Sequence, residues 1–107
     1  MASLRTLAAS KVSHARLGLL STKDGVVETP AFVAVATNAA LKAVDLRDVP
    51  GIDMIFANTY HLMLHPGVDV VAKAGGVKPF MNAGDGRIIM TDSGGFQVFS
   101  LKYGTVH

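Results

Sequence analysis

The sequence predicts an α/β fold with a parallel sheet, and three observations predict it. Residues 31–36, 52–57 and 88–90 are short runs apolar on both faces, the pattern of strands buried on both sides. Segments with helical caps or helical spacing lie between the runs. The second and third runs pass at their carboxyl side into polar residues, 58–61 and 91–97. In parallel α/β sheets and barrels the carboxyl ends of the strands carry the ligand site, so residues 58–61 and 92–97 should converge on one crevice.

Taken in order, residues 1–14 read as an N-terminal tail and 15–107 as one domain. Arg5, Lys11, Arg16 and Lys23 all precede the first acid, Asp24, in a stretch rich in Ala, Ser and Leu. That composition suits an ordinary frayed N-terminus, with a mitochondrial-type presequence as the alternative. A β-hairpin follows, with strands over 16–22 and 26–28 joined by Lys23-Asp24-Gly25, where Asp-Gly would supply the positive φ of a tight turn. Pro30 then interrupts pairing, because it has no N–H to give a ladder. After the first buried run, Asn38 could cap a short turn, and a short helix over 46–49 stops at Pro50-Gly51. Beyond the second run, Asn58 is a candidate cap for a helix starting at Thr59. Residues 68–74 have helical spacing, with Val68, Val71 and Ala72 inward and Asp69 and Lys73 outward, and Gly75-Gly76 ends them. No internal repeat or low-complexity tract interrupts this order.

Composition excludes several classes. The chain has 107 residues, enough for one domain or a piece of one; half are hydrophobic and 17% charged, so it is no disordered tail. Every apolar stretch is cut by a charge, at Asp24, Lys42, Asp53, Asp69 or Lys73, well short of the roughly 18 residues that cross a bilayer. The absence of cysteine removes disulfide scaffolds and thiolate metal sites from this chain. A net charge of +2, all of it in the first half, neither requires nor excludes a nucleic-acid partner.

The chemistry-bearing residues sit at the two strand ends. Asp92 follows an apolar run and precedes Gly94-Gly95, a setting that allows close backbone approach. Its carboxylate could accept hydrogen bonds from the ring N–H and amine of a flat heterocycle, or carry a proton. Ser93 and Gln97 add a hydroxyl and an amide, and Phe96 a flat apolar face. The plainer alternative, an Asp-Ser-Gly turn with Phe96 in the core, stays open on spacing alone. At 58–61 an amide, a hydroxyl, a phenol and an imidazole could face a ligand, or Asn58 could cap while Tyr60 and His61 satisfy buried hydrogen bonds. His61 and His65 are four apart, but with Pro66 next and no third ligand nearby they make a poor metal site. Neither a Walker loop nor Gly-x-Gly-x-x-Gly is present, and Ser93 lacks the leading glycine of a hydrolase nucleophile elbow.

Several motifs together resemble, in order and spacing, the N-terminal part of the tRNA-guanine transglycosylases, or queuine tRNA-ribosyltransferases. They are Ala15-Arg16-Leu17-Gly18, Glu28-Thr29-Pro30-Ala31-Phe32, Asn58-Thr59-Tyr60-His61-Leu62, His65-Pro66-Gly67, Phe80-Met81-Asn82 and Thr91-Asp92-Ser93-Gly94-Gly95-Phe96-Gln97. The resemblance implies a (β/α)8 barrel, here its incomplete N-terminal portion preceded by the hairpin. It implies an enzyme that exchanges guanine at the tRNA wobble position for queuine or a 7-deazaguanine precursor by double displacement, without ATP. Asp92 then resembles the carboxylate that holds the base and acts as general acid/base. Ser93, Gly94 and Gln97 would line the base and ribose pocket, Phe96 would stack on the base, Asn58 would face the ribose, and Tyr60 and His61 would support the site, His61 by hydrogen bonds. The partners implied are tRNA, a guanine or 7-deazaguanine base, and another chain or a missing C-terminal half. The family's zinc has no ligand set on this chain, so no cofactor is expected here. With the nucleophile also implied to lie later, this chain alone is expected to be inactive; the alternative is a truncated homologue serving as a non-catalytic subunit of a larger assembly. The compartment implied is the cytoplasm, with the mitochondrion as the alternative.

Overall fold

The computed structural model describes residues 2–95. The chain opens with a three-stranded antiparallel sheet in the order β1 (Ser3–Ala9), β2 (Arg16–Thr22), β3 (Gly25–Thr29). β1 pairs with β2 from Ser3↔Ser21 to Ala9↔Arg16, with an irregularity between Thr6 and Ala8. The N-terminus is therefore a strand where a frayed tail was expected. The pattern gave no sign of it because all seven residues of β1 are exposed: it is held by its ladder, not by an apolar face. Ser10 closes the connection, its N–H donating to the Ala15 carbonyl at 2.8 Å and its hydroxyl accepting from Val12 N–H at 3.1 Å.

The β2–β3 hairpin is where the sequence places it, but its turn works differently. Pairing runs to Thr22↔Gly25, leaving Lys23 and Asp24 as the loop, and neither Asp24 nor Gly25 has a positive φ. The Thr22 hydroxyl oxygen holds the turn instead, accepting from the N–H groups of Asp24 (3.1 Å) and Gly25 (3.3 Å). Gly25 is required by a close approach: a Cβ there would lie 2.2 Å from the Gly86 carbonyl oxygen, in the loop leading to the last strand. Gly25→Ala should therefore push the hairpin off that loop and lower stability by about 1–3 kcal/mol, the usual range for overpacking. A denaturant-midpoint loss under about 0.5 kcal/mol would show that the loop gives way freely.

The second sheet is parallel, in the order β4 (Val33–Val35), β5 (Met54–Ala57), β6 (Ile88–Thr91). Between β4 and β5 the expected helix is a single 3-10 turn, Leu46–Asp48, started by the Asp45 carboxylate accepting from Arg47 N–H at 3.0 Å. Between β5 and β6 run α1 (Thr59–Leu64), α2 (Val68–Lys73) and α3 (Val77–Phe80). Gly75 and Gly76 end α2 as expected, with φ of 98° and 117° and the Gly76 N–H donating back to the Val71 carbonyl at 3.0 Å. The Gly76 carbonyl then accepts from Phe80 N–H and opens α3, a four-residue helix too short to leave a periodic signal.

Alternation along the parallel strands decides what each face touches. Ala36, Ile55 and Ala57 pack with Leu46, Leu62, Met81 and Ala83, and these seven residues with Ala39 hold most of the core. The opposite face carries Val33, Met54 and Ile88 in register, covered by Val27 of β3 with Leu20 of β2 beside it. One row further on, Val35 and Met90 flank Phe56 and are 65% and 41% exposed. The runs are thus not buried on both sides throughout, as their composition predicts; the hairpin covers only the first row. Phe32, expected within the first buried run, lies outside β4 and is exposed. α2 is less buried than expected: Val68, Val71 and Ala72 share one side and line one apolar cavity with Leu62 and Val77, but only Val71 is half-buried and no residue of the helix is fully buried. No described helix is long and apolar enough to cross a membrane.

One buried charge ties the lower end of this sheet together. Arg87, 9% exposed, donates from Nε to the Ile52 carbonyl at 2.8 Å and from one terminal nitrogen to the Leu46 and Val49 carbonyls, both at 2.7 Å. Its other terminal nitrogen donates to the Ala83 carbonyl at 3.2 Å. Among the described residues it has no carboxylate partner, so carbonyl dipoles supply its counter-charge.

Candidate functional site

The polar residues predicted to converge do so at the carboxyl ends of β5 and β6. These strands are neighbours in register, with Ala57 opposite Thr91, so the next residues, Asn58 and Asp92, emerge side by side. The Asn58 Nδ2 donates to Asp92 Oδ2 at 3.0 Å, and the Thr59 N–H donates to Asp92 Oδ1 at the same distance. The Thr59 hydroxyl donates a short hydrogen bond to the Asp92 main-chain carbonyl. Asn58 is 5% exposed and uses both ends of its amide, because Oδ1 accepts from His61 N–H at 3.1 Å and caps α1. The cap and the convergence were both legible in sequence. The bond from Asn58 to Asp92 makes the two strand ends one unit.

The remaining predicted residues fall into three groups. Ser93 is exposed, and its hydroxyl oxygen accepts from Gly95 N–H at 3.3 Å. Gly94 is buried with a φ of 71°, and a Cβ there would come within 3.0 Å of Tyr60 N and Cβ, so the Asp92 loop lies directly on the first turn of α1. Tyr60 and His61 are half-buried and meet edge to face with ring centroids 5.9 Å apart. His61 was expected to support the site by hydrogen bonds. Among the described residues the support comes from its main-chain N–H, and its imidazole donates and accepts no hydrogen bond. Phe96 and Gln97 lie outside the described residues.

The Thr59 hydroxyl is part of the 58–61 cluster predicted from sequence, but no role of its own was legible there. Its only signal was its place directly after the capping asparagine, where a hydroxyl next to a neighbouring strand end could reach it. An apolar cavity of about 270 Å³, lined by Leu62, Met63, Val77 and the Val68, Val71 and Ala72 side of α2 together with Thr59 and Thr91, adjoins this turn, and no ionisable group lines it.

Chemically, the site offers one half-buried carboxylate whose two oxygens each receive one fixed N–H donor. Each oxygen keeps further lone-pair capacity, so the group can accept from a planar N–H donor pair or carry a proton while its position is held. A zinc site does not fit these residues: the chain has no cysteine, and no three His, Asp or Glu side chains cluster among the described residues.

Comparison with known proteins follows the same residues. The model of the queuine tRNA-ribosyltransferase family matches residues 10–106. Proteins named queuine tRNA-ribosyltransferase share 57% identity over 98 residues in Chlamydia pneumoniae, 55% over 97 in Chlamydia felis and 54% over 97 in Chlamydia caviae. Each match covers 91% of this chain and 25% of the relative, so the chain spans about a quarter of the length of the curated relatives it matches.

Proposed function

Because the chain belongs to the queuine tRNA-ribosyltransferase family, we propose that it forms one wall of a base-exchange site in which guanine at the tRNA wobble position is replaced by queuine or a 7-deazaguanine precursor. The observation that carries this reading is the Asp92 carboxylate, fixed across two adjacent strand ends by Asn58 and Thr59. In a (β/α)8 barrel that is the catalytic face. The parallel β4-β5-β6 sheet would be the barrel's first part, and the uncovered row of Val35, Phe56 and Met90 the interior that its further strands close over.

In this reading the reaction is a double displacement at the ribose anomeric carbon. A nucleophilic carboxylate from beyond these residues forms a bond to that carbon as the bond to guanine breaks. Asp92 delivers a proton to the ring nitrogen of the departing base and takes one from the ring nitrogen of its replacement. The second base then displaces the enzyme carboxylate. Protons and charge balance over the cycle, and no ATP is consumed. Asp92 also reads the edge of the base, Ser93, Gly94 and Gln97 line its pocket, and Phe96 stacks on its face. Asn58 can meet the ribose only with the donor and acceptor capacity its cap and its Asp92 bond leave over. The family's zinc would be held by residues beyond this chain, and no step runs through it here. tRNA and the base are the partners, and the cytoplasm is the compartment that suits a tRNA substrate.

The test is exchange of labelled guanine into tRNA by the complete protein bearing this segment. Incorporation without ATP is expected, and a folded, complete protein that exchanges nothing would overturn the proposal.

A further inference from the structure

We infer that Thr59 is a positioning residue for Asp92, acting through its hydroxyl; the inference rests on the reading of Asp92 given above. Thr59 reaches Asp92 twice, with its N–H on the carboxylate at 3.0 Å and its hydroxyl on the main-chain carbonyl. One contact is on the Asp92 side chain and the other on its main chain. They fix both where the residue sits and which way its carboxylate points.

Among the described residues no other contact does this. Asn58 holds one carboxylate oxygen but leaves the backbone free to swing about it. Gly94, with its positive φ and its 3.0 Å approach to Tyr60, sets how closely the loop lies on α1, without gripping Asp92. Ser93 is exposed and bonds only within the loop, to Gly95 N–H, so nothing C-terminal to Asp92 replaces the Thr59 anchor among the described residues. β6 ends at Thr91, so the Asp92 carbonyl is the first past the strand, and the Thr59 hydroxyl takes over where the ladder stops. Main-chain N–H donation from residue 59 survives any substitution short of proline, so the side chain's separate contribution is the grip on the carbonyl.

The variant that isolates it is Thr59→Val, which is nearly isosteric and keeps both the N–H bond and the apolar contact with the adjoining cavity. In the complete protein, kcat for guanine exchange should fall about 10–100-fold, the penalty typical of a catalytic group displaced by a fraction of an ångström to an ångström. KM for tRNA should stay within about twofold, because Thr59 is not proposed to touch the tRNA. Thr59→Ser restores the hydroxyl and should return kcat to within about threefold of the parent. The inference is overturned if Thr59→Val keeps the parent kcat, if Thr59→Ser is as slow as Thr59→Val, or if the loss in kcat is matched by loss of folded protein in near-ultraviolet circular dichroism. Asp92→Asn run alongside separates the two ideas. Exchange unaffected by Asp92→Asn removes the base-exchange role of Asp92 itself, whereas a dead Asp92→Asn beside a fully active Thr59→Val removes only the inference about Thr59.

Discussion

If Asp92 is the general acid/base of the proposed exchange, Asp92→Asn in the complete protein should lower guanine exchange by about 10³-fold or more, the range seen when such a group is lost, while the fold survives. The local hydrogen bonding gives this substitution a second cost beyond the lost proton carrier. An amide at position 92 can keep its oxygen toward the Thr59 N–H, but its nitrogen then faces the Asn58 Nδ2, donor against donor. Asn58 cannot turn to relieve the clash, because its own oxygen caps α1 through His61 N–H and its side chain is buried. The variant must give up the bond between the strand ends, the helix cap or, with its amide flipped, the Thr59 N–H bond, each a loss of about 1 kcal/mol. The measurement is kcat with labelled guanine together with the melting midpoint. Exchange within tenfold of the parent would take Asp92 out of the chemistry. A dead enzyme that is also unfolded would place the residue in the structure alone.

What the sequence disclosed about this site and what it hid have one physical division. Asn58 and Asp92 were legible because each follows an apolar run, and a polar residue leaving a buried strand has few places to go. Their convergence followed from the parallel order alone, since neighbouring parallel strands end on the same side. The Asn58 cap was legible for the same local reason. The Thr59 hydroxyl was counted in the 58–61 cluster, but its role was not legible, because what matters is a hydrogen bond to a residue 33 positions away, and a threonine in a first helical turn is ordinary. β1 was missed because its stability lies in backbone pairing without a buried face, and Gly25 was credited with a turn conformation when its need is room for the Gly86 carbonyl. The exposed row of Val35 and Met90 contradicts full burial of the runs, since composition states that a strand can be buried on both sides and says nothing of which rows another element reaches.

Arg87 is the furthest removed from sequence logic, and its removal has the largest expected effect on stability. A lone arginine before an apolar strand reads as a surface residue, and only the fold shows its side chain enclosed and satisfied by four carbonyls, three from residues 46–52 and one from Ala83. Arg87→Met keeps the length and apolar stem but withdraws every donor. Two of the four carbonyls retain another partner: Leu46 still accepts from Val49 N–H at 3.3 Å and Val49 from Ile52 N–H at 3.1 Å. The Ile52 and Ala83 carbonyls keep no other main-chain donor among the described loop contacts and bear the full desolvation cost. Two orphaned acceptors at about 1–3 kcal/mol each, less what the apolar replacement recovers, give an expected loss of about 3 kcal/mol. Arg87→Lys can restore one or two of these bonds and should recover about half of it, because an ammonium cannot match the spread of a guanidinium fork. Urea midpoints for the two variants check both figures. A loss below about 1 kcal/mol for Arg87→Met would mean that water reaches these carbonyls, and that the 3-10 turn and the start of β5 are held by apolar packing instead of by this charge.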